Sequence, residues 1–227
     1  VTDMGYDTTQ EKRSLVLTTP LPKDHLLIES ISTREGLNQL FEFNLELLHA
    51  EKVEGFEPTA VDPKKLLGNP ITVSVSQPGS IKRNFHGICI EFSQGARNSR
   101  FSWYRATVVP EVWKLTQIAQ SRIFQNKTVP QILEKVLEGF NYKSEIQAAG
   151  MEPRNYCVQY RETDWDFASR LMEEEGIYYY FEHTKDNHRL ILGNTPGSHR
   201  KVPTSSKMTF GLERSELQDK WVPAIYT

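Results

Sequence analysis

The chain has 227 residues, of which 38% are hydrophobic and 25% charged, with 27 basic against 29 acidic side chains and a net charge of −2. That length holds one large domain or two small ones, with two preferred, and the dispersed Lys and Arg leave no basic footprint for a nucleic acid backbone. No apolar run approaches the ~18 residues of a membrane-crossing helix, the start lacks the positive-then-apolar design of a secretory leader, and a chain opening at Val1 rather than Met is expected to be a fragment or processed.

Residues 1–12 are polar and without period, as expected of a flexible N-terminus. From Arg13 to Pro110 the signal is period two: Phe41, Phe43, Leu45 and Leu47 alternate with Glu42, Asn44 and Glu46, and Ile71, Val73 and Val75 alternate with Thr72 and Ser74. Such alternation predicts half-buried antiparallel strands. Leu26–Ser32, Phe85–Phe92 and Phe101–Val109 add three more, and the change of apolar face at Gly87 predicts a bulge there. Turn chemistry at Arg34-Glu35-Gly36, Asp62-Pro63, Gly68-Asn69-Pro70 and Gln77-Pro78-Gly79 separates them. Short strands at this spacing suggest a small barrel or sandwich.

The second half mixes types. Thr128–Phe140 reads as a helix with a Thr128/Gln131 capping box and one apolar face of Ile132, Leu133, Val136, Leu137 and Phe140. Tyr156, Val158 and Tyr160 then alternate into a second capped helix, with Thr163 at its N-cap, Trp165, Phe167, Ala168, Leu171 and Met172 on one side, and Gly176 as its left-handed stop. The β-branched and aromatic run Ile177–Phe181 and the run His188–Leu192 predict a hairpin, and 193–206 is loop-like. Cys89 and Cys157 both fall in strand-like runs, where a thiol behaves as a small buried hydrophobe rather than half of a disulfide.

Two local features resist a simple reading. Glu173, Glu174 and Glu175 crowd the last turn of the second helix, at the negative end of its dipole, so they are either a solvated helix end or carboxylates held by Arg or Lys from elsewhere, another subunit included. Tyr178, Tyr179 and Tyr180 place tyrosines on both faces of one strand and, with Trp165, imply either a core under a covering helix or an oligomer interface. These seven residues are the candidate interface.

Signatures of chemistry are few. The acidic stretch Glu162, Asp164, Asp166 and Glu173–Glu175 has no second acidic cluster to oppose it across a cleft, which disfavours a hydrolase. His183 and His188 sit across the hairpin as expected solvent-facing turn histidines without a third ligand at metal spacing. No Gly-x-Ser-x-Gly elbow and no glycine-rich phosphate loop occurs, so no catalytic residue, metal or cofactor is expected.

Arg34-Glu35-Gly36-Leu37 before Phe41-Glu42-Phe43, Leu66-Leu67-Gly68-Asn69-Pro70 with Phe85-His86-Gly87-Ile88, and Val109–Leu115 leading into Ser121–Val129, followed by the segment Tyr160–His183, occur in order from about residue 15 to 195. Together they resemble the N-terminal part of the VgrG family, the spike proteins of bacterial type VI secretion, related to the tail hub and late-control protein D of contractile phages. The resemblance implies a β-rich α+β fold with two barrel-like antiparallel β subdomains and a few short helices, at 13–117 and 118–206. Residues 207–227 are then a return to the first domain or the start of a truncated neck. It also implies a non-enzymatic homotrimer whose pseudo-sixfold ring meets a hexameric Hcp-like tube, with effector or tip proteins and the target membrane reached only through later parts of the chain. Assembly in the bacterial cytoplasm and export through the type VI apparatus without a signal peptide complete that expectation; a prophage baseplate hub and, behind it, a cell-wall hydrolase are the alternatives.

Overall fold

A computed structural model describes residues 9–11, 13–51, 60–76 and 83–199, with the backbone of Thr209–Phe210 and Ala224–Ile225 besides. These residues fall into two units divided between Thr195 and Pro196. The second unit contains a 3-10 turn at Pro196–Ser198 and a short parallel pair, Thr209–Phe210 with Ala224–Ile225. The N-terminal leader up to residue 8, residues 200–206 and most of the 207–227 segment lie outside the described residues.

The first unit begins with six strands: β1 (Leu15–Thr18), β2 (Leu27–Arg34), β3 (Glu42–Ala50), β4 (Pro70–Val75), β5 (Arg83–Arg97) and β6 (Phe101–Val109). They form one antiparallel sheet in the order β1-β4-β5-β6-β3-β2, and β1 also lies against β2, so the sheet curls into a nearly closed barrel. The cause is legible in β3. Phe43, Leu45 and Leu47 are buried while Glu42, Asn44 and Glu46 face out, and each buried side chain contributes roughly 1.5–3 kcal/mol of apolar transfer. Leu17, Ile28, Phe41, Ile71, Val73, Phe85, Cys89, Ala106 and Val108 fill the same interior.

Gly87 is not a bulge. The β4–β5 register runs unbroken through Ile71↔Gly87, and the irregularities of β5 against β6 fall between Cys89 and Glu91 and between Gln94 and Arg97. Glycine is required at 87 for another reason: a Cβ there would stand 2.6 Å from Val109 O, 2.7 Å from Val108 Cγ1 and 3.0 Å from Phe41 Cε2. The face change that suggested a bulge reflects a strand covered on both sides, with Phe85 and Cys89 inside the barrel and His86 and Ile88 buried on its outer surface.

A 3-10 turn at Glu111–Gln117 leads to β7 (Ala119–Phe124), α1 (Val129–Val136), β8 (Tyr142–Glu145), β9 (Cys157–Thr163), α2 (Asp164–Glu174), β10 (Tyr178–His183) and β11 (His188–Gly193). The capping box of α1 is present, with Gln131 Oε1 accepting from Thr128 N at 3.0 Å. This helix stops earlier than its apolar pattern, because Leu137 caps it and Gly139 turns left-handed at φ 90°. The predicted hairpin forms in register from Tyr178↔Gly193 to His183↔His188, and β8 extends it in parallel alongside β11. β7 and β9 make a separate two-stranded ribbon. Val129, Ile132, Leu133, Val136, Phe167, Leu171, Leu190 and Leu192 build a second core, and Phe181 packs against both cores. The turn before β3 is tied to the hairpin as well, since Asn38 exchanges hydrogen bonds with Tyr179 N and O at 2.9 and 3.0 Å.

Candidate interaction surface

The segment 163–177 is built as its chemistry requires. Thr163 Oγ1 accepts from Asp166 N at 3.0 Å to start α2. At the other end Gly176, at φ 65°, closes a Schellman motif in which Ile177 N donates to Met172 O and Gly176 N to Glu173 O, at 2.8 and 3.2 Å.

Asp164, the first residue of α2, is buried and accepts from Arg122 at 2.7 Å, from Gln159 at 2.8 Å and from Gln120 at 2.7 and 2.9 Å. Arg122 also donates to Gln159 Oε1 at 2.8 Å. Three donors from β7 and β9 therefore converge on one carboxylate at a helix N-terminus, where negative charge is favoured, and fix the ribbon to α2.

This network decides which side of the ribbon faces water. Gln159 and Cys157 of β9 point inward, so the apolar alternation of Tyr156, Val158 and Tyr160 is turned outward. Tyr160 is 66% exposed, Ile123 59%, Tyr156 58% and Ile118 46%, and Ile123 is the register partner of Val158. Ile123, Tyr156, Val158 and Tyr160 share the outward face of a ribbon whose other face meets the core through Cys157 and Phe124 beside the Asp164 network, and large apolar side chains left exposed together mark an interaction surface. Arg161 rims it, at φ 51°, with its guanidinium 5.3 Å from the Tyr160 ring. None of these exposed residues was singled out from the sequence as an interface; the signal was the Tyr-x-Val-x-Tyr alternation itself, whose face depends on a network joined over about forty residues.

The residues singled out from the sequence lie on the other side of α2 and on the hairpin. Trp165 and Tyr179, each 6% exposed, are core residues in an edge-on contact with ring centroids 5.3 Å apart. Burial, with Glu173 nearby, pushes the Tyr179 hydroxyl up to about 12. Tyr178 and Tyr180 are half-buried, Tyr178 donating to Thr195 O at 2.9 Å, and Glu173 is exposed. Glu174 and Glu175 are held within the chain: Arg154 reaches them at 2.6 and 2.7 Å, and Arg170 reaches Glu174 at 3.2 Å and Glu162 at 2.7 Å. The hydrogen bond from Arg154 is the largest cause holding the Glu174 carboxyl below the usual carboxylate range, the opposite of what a general acid needs.

The hairpin histidines do not face solvent. His183 and His188 are buried and meet His86 of β5, although among the described residues no three His, Cys, Asp or Glu side chains are placed to hold a metal ion. Both cysteines are buried free thiols. The outer face of the barrel carries an open, polar depression of about 520 Å³ lined by Ser30, Asn44, Glu46, Glu91, Arg105 and Thr107 among others.

The sequence matches the phage tail baseplate hub (GPD) family over residues 34–220. It is 41% identical to the type VI secretion system spike protein VgrG1a of Pseudomonas aeruginosa over 184 residues, 80% of this chain and 27% of that protein. The chain thus spans about a quarter of the length of the curated relatives it matches. Among solved structures, an E. coli component of the type VI secretion system with structural similarity to T4 bacteriophage tail proteins superposes with a TM-score of 0.64 at 23% identity, over 78% of this chain and 50% of that one. A 43 kDa prophage tail protein of Shewanella oneidensis gives 0.51 at 17% identity, over 78% and 52%. At these identities the two structures show the shared fold.

Proposed function

The chain belongs to the phage tail baseplate hub family, and from that premise we propose that it is the base of a type VI secretion spike. The observation that carries the secretion reading is the 41% identity to a type VI spike protein over four-fifths of the chain. In this reading three copies assemble, each presenting two related surfaces so that a threefold ring can sit on a sixfold Hcp-like tube. Tip or effector proteins and the target membrane are met by parts of the natural protein beyond this region. The assembly forms in the bacterial cytoplasm and leaves through the apparatus itself.

The exposed ribbon face supports a structural role for this region. Ile123, Tyr156 and Tyr160 offer an apolar patch with an Arg161 rim, the composition of the centre and edge of a protein interface. Glu173, exposed at the end of α2, and the half-buried Tyr178 and Tyr180 of the hairpin are proposed interface residues apart from this patch. A hydrolase built on the acidic stretch is disfavoured, since Glu162, Asp164, Glu174 and Glu175 are all engaged by arginines.

The test is the double variant Ile123→Asp, Tyr160→Glu in the natural full-length protein. It is expected to fold and melt like the parent while losing assembly and export. Export that persists at the parental level would refute the assignment, and export unaffected by deletion of the secretion tube gene would move the protein to a prophage baseplate.

A further inference from the structure

The barrel and the β10–β11 hairpin are joined through three buried histidines. β6 pairs with β5 only from Ile88 onward, and just before that point His183 takes the place a continuing strand would hold: its Nδ1 lies 3.2 Å from His86 N and 3.1 Å from His86 O. The ring of His86 meets that of His188, Nδ1 to Nδ1, at 2.9 Å. His188 Nε2 accepts from Glu111 N, also at 2.9 Å.

These contacts fix where the protons are. A backbone amide only donates, so His188 Nε2 carries no proton, and the neutral ring has its proton on Nδ1. That proton is donated to His86 Nδ1, which is therefore an acceptor, and the proton of His86 sits on Nε2. Both rings are neutral. An added proton on His188 Nε2 would confront the Glu111 N–H, and one on His86 Nδ1 would confront the His188 N–H.

Neighbouring charges act in both directions, and burial is the largest cause against a charge on either ring. Glu35 is engaged by Arg83 and lies 3.1 Å from His183 Nε2. Burial pushes its carboxyl up, but those contacts outweigh burial and hold it below the usual carboxylate range. The acids that favour a charge on His86 are Asp186 of the hairpin turn and Glu111, and His183 opposes them. Lys185, the residue next to Asp186, has its carbonyl bound by Thr72 Oγ1 at 2.9 Å, a second tie between barrel and hairpin. Around His188, both His86 and His183 disfavour a charge.

We propose that the His86–His183–His188 cluster is an acid-sensitive latch, in which protonation of the His86–His188 pair releases the β10–β11 hairpin from the barrel. Burial lowers both values, that of His188 from 6.5 to about 3. Because the closed form binds the proton less well, the latch is at full strength above about 6.5 and weakens as pH falls from there toward the closed-state value. For His188 alone the opening equilibrium grows about 30-fold between pH 7.5 and pH 5.

The experiment is amide hydrogen exchange on the folded chain from pH 7.5 to 5, corrected for intrinsic rates. The His86 and Glu111 amides are expected to lose protection about 30-fold or more while Val108 of β6 keeps it. Equal loss at all three, or none, would overturn the latch. His188→Gln can accept from Glu111 N and donate to His86 without titrating, and is expected to flatten the pH dependence; an unchanged dependence would overturn it. Imidazole ¹⁵N shifts of the wild-type chain at pH 7.5 add a readout independent of any variant: a proton on His188 Nδ1 is expected, and one on Nε2 would overturn the assignment.

Discussion

Replacing Asp164 tests the claim that a buried carboxylate sets the face of the β7–β9 ribbon. Asp164→Ala removes the shared acceptor of Gln120, Arg122 and Gln159, leaving a fully buried amide and a largely buried guanidinium without it. Removing one member of a buried pair costs about 3–5 kcal/mol. Arg122 retains 28% side-chain exposure and its bond to Gln159, so water can recover part of its loss and the lower end, about 3 kcal/mol, applies. At roughly 2–4 °C per kcal/mol for a chain of this size, the melting temperature should fall by about 6–12 °C. Asp164→Asn keeps one acceptor oxygen and should lose about half as much. Urea and thermal unfolding at pH 7 would measure both, and iodination of Tyr160 would report whether the ribbon stays in place. A loss under 1 kcal/mol for the alanine variant, or equal losses for the two, would mean that the Asp164 carboxylate does not hold the ribbon.

Gly87→Ala should prevent stable folding, because its Cβ would meet the Val109 carbonyl and not a movable side-chain tip; soluble yield and near-UV circular dichroism would check this. Arg154→Ala should cost about 1 kcal/mol by leaving Glu175 unpaired and Glu174 with Arg170 alone at the negative end of α2. High salt should shrink that difference, measured as paired urea titrations. Cys89, buried and with its thiol pushed up to about 11, chiefly by burial, should resist iodoacetamide at pH 8 in the folded chain and react once unfolded, as read by mass spectrometry.

What could be read from the sequence is what depends on neighbours along the chain. The β3 alternation, the Thr128 and Thr163 caps and the Gly176 stop are local codes, and each appears where the pattern places it. β1 has only Leu15-Val16-Leu17-Thr18, and β8 is the half-exposed run Tyr142-Lys143-Ser144-Glu145; neither carries a period, and both exist because a distant strand offers an edge. Arg154 lies twenty residues before Glu174, so the sequence leaves open whether the acidic helix end is solvated or held by a basic side chain. His86 is about a hundred residues from His183 and His188, so the hairpin histidines looked solvated. The outward face of Tyr156 and Tyr160 follows from Asp164 gathering polar partners from two strands, which no single window of sequence contains.

A threefold hub joined through the ribbon, as proposed, has a definite mass in solution for the natural full-length protein. Native mass spectrometry should give three copies for the parent and one for the Ile123→Asp, Tyr160→Glu variant at equal concentration. A parent that stays monomeric would rule out the threefold hub, and a variant that remains trimeric would rule out the ribbon as its contact.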